Sequence, residues 1–196
     1  MISETFRAFI AIDLPESVKS FLSEAQEALK SYGFGVKWVR PQNIHLTLKF
    51  LGDTATADTD KIAEAMTLAA RNCPIVSLTA KGVGVFPNAR RPRVIWAGLN
   101  GQVEALVNLQ QTLNAHLADL GFATDTRGFK SHLTLGRVKG KIASDRMIAA
   151  IDKLKEFESE LFETHEVVLF KSELRPSGAV YTKVQRVAFQ GQSKLH

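Results

Sequence analysis

Apolar and polar residues follow two different periods along this chain, and each period predicts a different element. Phe6–Ile12 is apolar on both faces, which is typical of a central strand. In Val18–Leu29 the apolar residues recur at helical spacing, and Gly33 follows where the predicted helix should end. From Asn43 to Phe50 apolar and polar residues alternate, which predicts a strand with one face in a core.

The alternating strand assigns its residues to two faces, because side chains two apart on a strand point the same way. The face predicted to be apolar holds Ile44, Leu46, Leu48 and Phe50. The face predicted to be polar holds Asn43, His45, Thr47 and Lys49. We therefore expect the two sets to lie on opposite sides of a sheet.

The second half of the chain repeats this plan. A long helix is predicted over Val103–Leu120 and closed by Gly121, and the strand Ser131–Leu135 alternates like the earlier one. Ser144 is expected to cap a further helix that extends to Leu154. The other predicted elements are a helix at Ile62–Ala69 and strands at Val76–Val83, Val94–Leu99, Val167–Phe170 and Ala179–Ala188. Because strands and helices interleave, the predicted fold class is α+β or α/β, with helices outside the sheets.

Composition narrows the class of protein. The 196 residues are 45% hydrophobic and 23% charged, which is ordinary for a globular protein and argues against collagen-like, low-complexity and disordered chains. The single cysteine, Cys73, allows neither an internal disulfide nor a multi-cysteine zinc site. The sequence shows neither a membrane-spanning apolar run nor the pattern of a signal peptide, so we expect a cytoplasmic protein without a membrane partner. The net charge of +5 gives a mild preference for anionic partners.

A tetrapeptide occurs twice in the chain. His45–Leu48 reads His-Leu-Thr-Leu, and the same four residues return 87 positions later as His132–Leu135. In a shuffled chain of this composition one copy would appear roughly 0.004 times, so chance is a poor explanation for two. Duplication of a structural unit would explain the leucines, which are ordinary strand residues. It does not by itself explain why a histidine lies on the polar face in both copies.

Strand geometry pairs each histidine with a threonine. His45 and Thr47 lie side by side on one face, about 7 Å apart along the strand, and the same holds for His132 and Thr134. If the two units pack with matching faces, two imidazoles and two hydroxyls line a single cleft. Imidazole can donate or accept a proton near neutral pH, and the hydroxyls can donate hydrogen bonds to an anion.

Other catalytic patterns fit the residues less well. The tetrapeptides contain no carboxylate, which weakens a metal site made of two histidines and an acid. The sequence also lacks a nucleophile elbow and a phosphate-binding glycine loop. The pattern therefore favours acid–base cleavage of a phosphodiester, with no metal and no nucleotide cofactor.

The paired motifs resemble those of the two-histidine phosphoesterase superfamily. Within it the chain is most similar to the RNA 2′,3′-cyclic phosphodiesterases, also called 2′-5′ RNA ligases. The flanking segments Lys49–Gly52, Gly136–Arg137 and Arg91–Trp96 support this narrower resemblance. The resemblance implies a bilobal α+β fold, in which two pseudo-symmetric halves form antiparallel sheets that line a central cleft. It implies one domain over residues 1–196, built from two intertwined lobes.

The resemblance also implies an activity and its residues. The family hydrolyses an RNA terminal 2′,3′-cyclic phosphate to a 2′-phosphomonoester. It also forms 2′-5′ linkages between RNA ends, reversibly and without ATP. By the family's usual assignment His45 is the proton donor and His132 the proton acceptor. Arg137, with Thr47 and Thr134, would bind the phosphate. No cofactor is implied, and the expected partner is an RNA ending in a cyclic phosphate, tRNA fragments among them, bound by a monomer.

Two further groups are candidates for RNA contacts. Arg90, Arg91 and Arg93 form the densest basic cluster and could follow an RNA backbone, although a plain surface loop explains them nearly as well. A terminal base could stack on an aromatic side chain. The candidates for stacking are Phe50 and Tyr181 first, then Trp38, Phe86 and Phe129. Most aromatic residues at strand positions are core, so we expect one or two of these to face a ligand.

Two rival functions remain open from the sequence. The first is a non-catalytic RNA- or nucleotide-binding module that retains the scaffold, which a turnover assay would distinguish. The second is a metal-dependent hydrolase that uses His45 and His132 as ligands, which activity in excess chelator would exclude.

Overall fold

The chain forms two antiparallel sheets with helices packed against them. The computed structural model describes residues 4–124, 128–176 and 178–191. The strands in these ranges are β1 (Thr5–Asp13), β2 (Val36–Trp38), β3 (His45–Ala55), β4 (Val76–Phe86), β5 (Val94–Gly101), β6 (His132–Val138), β7 (Phe162–Thr164), β8 (Glu166–Arg175) and β9 (Gly178–Ala188). The α-helices are α1 (Glu16–Lys30), α2 (Thr59–Ala70), α3 (Val103–Asp119) and α4 (Ser144–Lys153). Short 3₁₀ turns occur at Pro41–Asn43 and Thr56–Asp58.

The two halves of the chain exchange strands. The first sheet has the order β3-β1-β8-β9, and the second has the order β2-β6-β5-β4-β7. The first half therefore supplies β1 and β3 to the first sheet but β4 to the second, while the second half supplies β5 and β6 to the second sheet but β8 to the first. The strands that carry the tetrapeptides, β3 and β6, take equivalent places beside β1 and β5. The predicted α+β class with antiparallel sheets is confirmed.

The strand β1 is central in its sheet, as its apolar pattern predicts. Ile10 and Ile12 belong to the large core beneath the helices, and both are fully buried. Phe9 points to the opposite face, where it forms a small cluster with Phe170. The first sheet is therefore apolar on both faces in its middle, and its second face is free to line a cleft.

The helix ends follow the predicted glycines but not the predicted serine. Gly121 has φ +87°, and its N–H bonds to the carbonyl of Ala118, which closes α3 in the left-handed turn that glycine adopts most easily. The prediction that Ser144 caps α4 is wrong. Ala143 occupies the N-cap in extended conformation, and its carbonyl accepts the hydrogen bond of Met147, so Ser144 is already the first helical residue.

A β-bulge follows the first tetrapeptide. In the β1–β3 pair, Thr47 lies opposite Ala11 but Lys49 lies opposite Ile10, so Leu48 is the extra residue. Such an extra residue reverses which face the following side chains point to.

The second tetrapeptide ends in the same way. In the β5–β6 pair, Thr134 lies opposite Trp96 but Gly136 lies opposite Ile95, so Leu135 is the extra residue. The two motif strands therefore share their bulge as well as their tetrapeptide.

The bulges correct the predicted faces of the strand Asn43–Phe50. Lys49 was expected on the polar face, but it is buried, and its Nζ donates hydrogen bonds to Asn114 Oδ1 and to the carbonyl of Ala123, each at 2.5 Å. Phe50 was expected in the core, but its side chain lies in the cleft and is 66% exposed. Arg137, five residues after His132 as Phe50 is five after His45, also reaches the cleft.

No helix in the described part of the chain is long and apolar enough to cross a membrane.

Candidate active site

A cleft of about 630 Å³ is lined by residues from both sheets. Both tetrapeptides reach it, through His45 and Thr47 on β3 and through Thr134 on β6. The described residues that line it include no acid, whereas the basic side chains that line it are Arg7, Lys37, Arg40 and Arg137. The cleft is therefore suited to an anion.

The ring of His45 is oriented by its own chain. The 3₁₀ turn Pro41–Asn43 places the carbonyl of Asn43 2.7 Å from Nδ1 of His45. A carbonyl can only accept, so Nδ1 carries the hydrogen and Nε2 is the nitrogen that can exchange a proton. The Asn43 side chain donates to the carbonyl of Ala179 on β9 at 2.8 Å, which ties this turn to the far edge of the first sheet.

The ring of His132 is oriented by the same kind of hydrogen bond. Its Nδ1 lies 2.7 Å from the carbonyl of Lys130, also two residues before the histidine, so Nε2 is again the exchanging nitrogen. His132 is not among the residues that line the cleft, but it lies on the same face of β6 as Thr134, which does. Its positive charge would still be felt at His45, where it lowers the pKa.

The two histidines differ in what surrounds them. His45 stacks on Phe9 with ring centroids 4.7 Å apart, and it meets the edge of Tyr181 at 5.4 Å. His132 meets the edge of Phe86 at 5.1 Å, and Lys130 Nζ lies over that same ring. The first histidine thus contacts several aromatic rings, whereas the second contacts one ring that also carries a lysine.

Burial lowers the pKa of His45 below its usual value. The hydrogen bond to the Asn43 carbonyl and the charge of Asp13 act in the opposite direction, while the charge of Lys19 adds to the lowering. An anion bound in the cleft would raise the pKa of His45 again, because an opposite charge nearby favours the charged imidazole.

Comparison with known proteins identifies the family. The model of the LigT-like phosphoesterase family matches this chain twice, over residues 12–96 and over residues 98–181. The chain belongs to the LigT-like phosphoesterase family. The two matches meet within β5, close to the boundary between the two halves, so the repeat that the tetrapeptides indicate extends over most of the chain.

Relatives of this LigT-like phosphoesterase cover nearly its whole length. It is 37% identical to the RNA 2′,3′-cyclic phosphodiesterase of Methanothermobacter thermautotrophicus, over 91% of this chain and 96% of that protein. It is 35% identical to the protein of the same name from Thermotoga maritima, over 94% of this chain and 96% of that protein. The family resemblance drawn from the paired motifs is therefore confirmed.

Solved structures agree with the fold. A crystal structure from Thermus thermophilus matches with a TM-score of 0.78 and 28% identity, over 95% of this chain and all of that one. The apo crystal structure of E. coli LigT matches with a TM-score of 0.72 and 25% identity, over 95% of this chain and 98% of that one. The arrangement of sheets and helices is thus that of the LigT-like phosphoesterases.

The aromatic candidates separate into three groups in this phosphoesterase. Trp38, Phe50 and Tyr181 line the cleft. Phe86 contacts His132 beside it, and Phe129 packs against the main core. Tyr181 is half buried, and burial raises the pKa of its phenol although the charges of nearby arginines act to lower it. A neutral phenol at the cleft can donate a hydrogen bond.

The basic cluster of the LigT-like chain lies outside the cleft lining. Arg90, Arg91 and Arg93 are exposed in the turn that joins β4 to β5. The turn starts after Phe86, and the carbonyl of Arg93 accepts a hydrogen bond from Val138, which follows Arg137. The cluster is therefore at the same end of the second sheet as Arg137, and its contact with RNA stays a prediction.

Sequence reasoning missed several cleft residues. Arg7 stands in a strand that was predicted to be apolar on both faces, and Lys37 stands in β2, a strand of three residues that the sequence pattern did not predict. Asp13 ends β1 and lies opposite His45, a position that only strand register reveals. Cys73 is buried, and burial raises the pKa of its thiol to about 11.

Proposed function

We propose that this protein hydrolyses the 2′,3′-cyclic phosphate at the end of an RNA to a 2′-phosphomonoester by acid–base catalysis. The observation that carries the proposal is the matched orientation of two histidines, each with Nδ1 bonded to the carbonyl two residues before it, on faces that meet at a basic cleft. The relatives named RNA 2′,3′-cyclic phosphodiesterase support the choice of substrate.

The two imidazoles divide the proton transfers of one displacement. His132 Nε2 accepts a proton from water while the water oxygen bonds to phosphorus, and His45 Nε2 gives its proton to the 3′ oxygen as the bond from phosphorus to that oxygen breaks. The products are a 3′-hydroxyl and a 2′-phosphomonoester. His132 then holds the extra proton and His45 lacks one, and exchange with solvent resets the pair.

Charge on the phosphate is met by protein groups in this mechanism. Thr47 and Thr134 offer hydroxyl donors from opposite sides of the cleft, and Arg137 offers a planar pair of N–H donors that suits phosphate oxygens. We propose that no metal ion is needed. In support, no three His, Cys, Asp or Glu side chains within the described residues cluster so that they could hold one.

Ligation follows from the same geometry. If a 5′-hydroxyl takes the place of water, the same two histidines join it to phosphorus and form a 2′-5′ linkage. The strain of the cyclic phosphate makes it the activated donor, so ATP is not consumed. We expect the protein to act as a cytoplasmic monomer on RNA ends, with tRNA fragments among its substrates.

The test is incubation of the protein with an oligonucleotide that ends in a 2′,3′-cyclic phosphate, with and without EDTA. Phosphorus NMR of the product should show a 2′-phosphate in both samples. The double variant His45→Ala/His132→Ala is the control for contaminating nucleases, and it should give no product. A 3′-phosphate product, or activity lost in EDTA and restored by zinc, would overturn the mechanism. Tight binding without turnover would favour the non-catalytic alternative.

A further inference from the structure

The residue directly across the sheet from each histidine differs between the two halves. On the first sheet Asp13 of β1 is the register partner of His45. On the second sheet Gly98 of β5 is the register partner of His132. Partners in an antiparallel pair have Cα atoms only about 4.5–5.5 Å apart and side chains on one face. One histidine therefore has a carboxylate neighbour where the other has no side chain at all.

The carboxylate of Asp13 is held on both oxygens. Oδ1 accepts from Lys19 Nζ at 2.9 Å and from the backbone N–H of Leu14 at 2.9 Å, and Oδ2 accepts from Lys183 Nζ at 2.5 Å. Burial by itself raises the pKa of Asp13, but the hydrogen bonds from Lys183 and Lys19 outweigh it, so the pKa is lowered. Asp13 is therefore a permanent negative charge at neutral pH, in a fixed place beside His45.

Charged groups from four elements surround His45. Asp13 of β1 favours its protonated form, whereas Lys19 of α1 and His132 of β6 oppose it. Asp13 exerts the largest effect of these three charges. Other titratable and charged groups near this end of the cleft are Glu16, Tyr181, Lys183, Arg137 and Arg7.

We propose that Asp13 is a positioning residue for the proton-donor step: its carboxylate, fixed between Lys19 and Lys183, favours the protonated imidazole of His45 and so offsets part of the effect of its enclosure by aromatic rings. Asp13 makes this contribution through the electric field across the sheet, since the Nδ1 of His45 is already bonded to the Asn43 carbonyl. His132 has Gly98 as its register partner, so no carboxylate occupies the equivalent position beside the proposed acceptor. The donor role rests on the proposed function, whereas the effect of Asp13 on the His45 proton does not.

The first experiment measures that proton directly. NMR titration of the imidazole of His45 in the free protein, with labelled histidine, gives its protonation midpoint in the natural sequence and in Asp13→Asn. Asparagine keeps the shape but removes the charge, so the midpoint of His45 should fall by about one pH unit. The midpoint of His132 is the internal control and should stay within a few tenths of a unit. An unchanged His45 midpoint in Asp13→Asn overturns the proposal.

A second variant approaches the same coupling from the other side. Lys183→Met removes a positive charge and leaves Asp13 bonded to Lys19, so the midpoint of His45 should rise. This opposite sign separates an electrostatic role from a general loosening of the site, and it decides the question if Asp13→Asn does not fold. A lower or unchanged midpoint in Lys183→Met contradicts the proposal.

Kinetics then connect the proton to the reaction. A donor must be protonated and an acceptor neutral, so kcat/KM follows the fraction of free protein that has a proton on His45 and none on His132, and both limbs of its pH profile belong to the pair. In Asp13→Asn, kcat/KM on the alkaline side of both limbs should fall about tenfold for a His45 midpoint that is one pH unit lower, while kcat/KM on the acidic side of both limbs should stay the same. Asp13→Glu should restore the alkaline activity toward that of the natural protein. A shifted NMR midpoint with unchanged alkaline activity overturns the positioning role. If the natural protein shows no turnover, the proposed function fails while the NMR titrations still decide the effect of Asp13.

Discussion

The cleft faces of the two sheets carry the same two residues and then differ. Each motif strand presents a histidine, a threonine two residues later and a bulge after that. At the fifth residue after the histidine the first sheet presents Phe50, and the second presents Arg137. The repeated part is what the two proposed proton transfers would require from both sides. The differing part gives one wall an aromatic ring and the other a guanidinium.

The two cleft faces also differ in the residue that pairs with each threonine across the sheet. The partner of Thr47 is Ala11, whereas the partner of Thr134 is Trp96. The indole of Trp96 lies flat over Gly84, where an added Cβ would come within 2.3 Å of the ring. Phe9 stacks between Phe170 and His45 in the first sheet, whereas in the second sheet Trp96 contacts Phe86, which in turn contacts His132.

The largest expected effect tests whether the two histidines are equivalent. His45→Ala and His132→Ala should each lower turnover of a cyclic-phosphate oligonucleotide by about 10²–10⁴, because each removes a general acid or base. His165→Ala, at an exposed position beyond the cleft, is the matched control and should leave turnover unchanged. Initial rates measure the effect. If either histidine variant keeps the turnover of the natural protein, that histidine is dispensable for catalysis.

The next effect concerns Arg137, the cleft residue of the second sheet at the fifth position after its histidine. Arg137→Ala should lower kcat/KM by about 10- to 100-fold, since hydrogen bonds between charged groups contribute about 1.5–3 kcal/mol each. Arg137→Lys should recover only part of the loss, because lysine lacks the planar pair of donors. Steady-state kinetics on a cyclic mononucleotide measure both variants. Equal activity for Arg137→Ala and the natural protein would remove Arg137 from the phosphate site.

The packing of Trp96 against Gly84 predicts an effect of substitution on stability. Gly84→Ala should lower the free energy of unfolding by about 1–3 kcal/mol, because the new methyl group would overlap the Trp96 ring. Gly140→Ala is the control, since an added Cβ there meets nothing within 4 Å. Urea denaturation followed by circular dichroism gives both values. Similar stabilities for the two variants would mean that the Trp96 ring moves aside easily.

A smaller effect concerns Phe50, the cleft residue of the first sheet at the fifth position after its histidine. Phe50→Ala should raise KM for a cyclic nucleotide roughly fivefold, near the low end for base stacking of about 1–3 kcal/mol, because the Phe50 ring is 66% exposed. KM for a ribose cyclic phosphate without a base should stay the same. Leu174→Ala, at an exposed aliphatic residue of the same cleft, is the matched control and should have little effect on either substrate. Equal losses with and without the base would argue against stacking.

The smallest effect concerns the basic turn at the end of the second sheet. If Arg90, Arg91 and Arg93 bind an RNA backbone, replacing all three with alanine should flatten the salt dependence of RNA binding, by about 0.7 in slope for each phosphate that the variant no longer neutralises. Fluorescence anisotropy of a labelled oligonucleotide at several salt concentrations measures the slope. Hydrolysis of a cyclic mononucleotide should not change. A slope identical to that of the natural protein would make the turn ordinary surface.

Local periodicity predicted most of the helices and strands, but not the features that depend on pairing between strands. The helices and the long strands were found because apolar spacing depends only on neighbours in the chain. The three-residue strands β2 and β7 were missed, since a run that short has no period to read and exists only through its partner strand. The predicted place of Phe50 in the core was wrong for a related reason: the bulge at Leu48 inserts a residue that no alternation pattern reveals.

The sequence by itself determined the residue types that carry the chemistry and their spacing in two copies. A histidine and a threonine two apart on a strand share a face whatever the strand packs against, so His45 with Thr47, and His132 with Thr134, could be paired without coordinates. Only the tertiary structure decided which strands exchange between the halves, where the bulges place Phe50 and Arg137, and that Asp13 lies beside one histidine while Gly98 lies beside the other. These features depend on register between segments distant in sequence, which the packing of the whole chain sets and local periodicity does not encode.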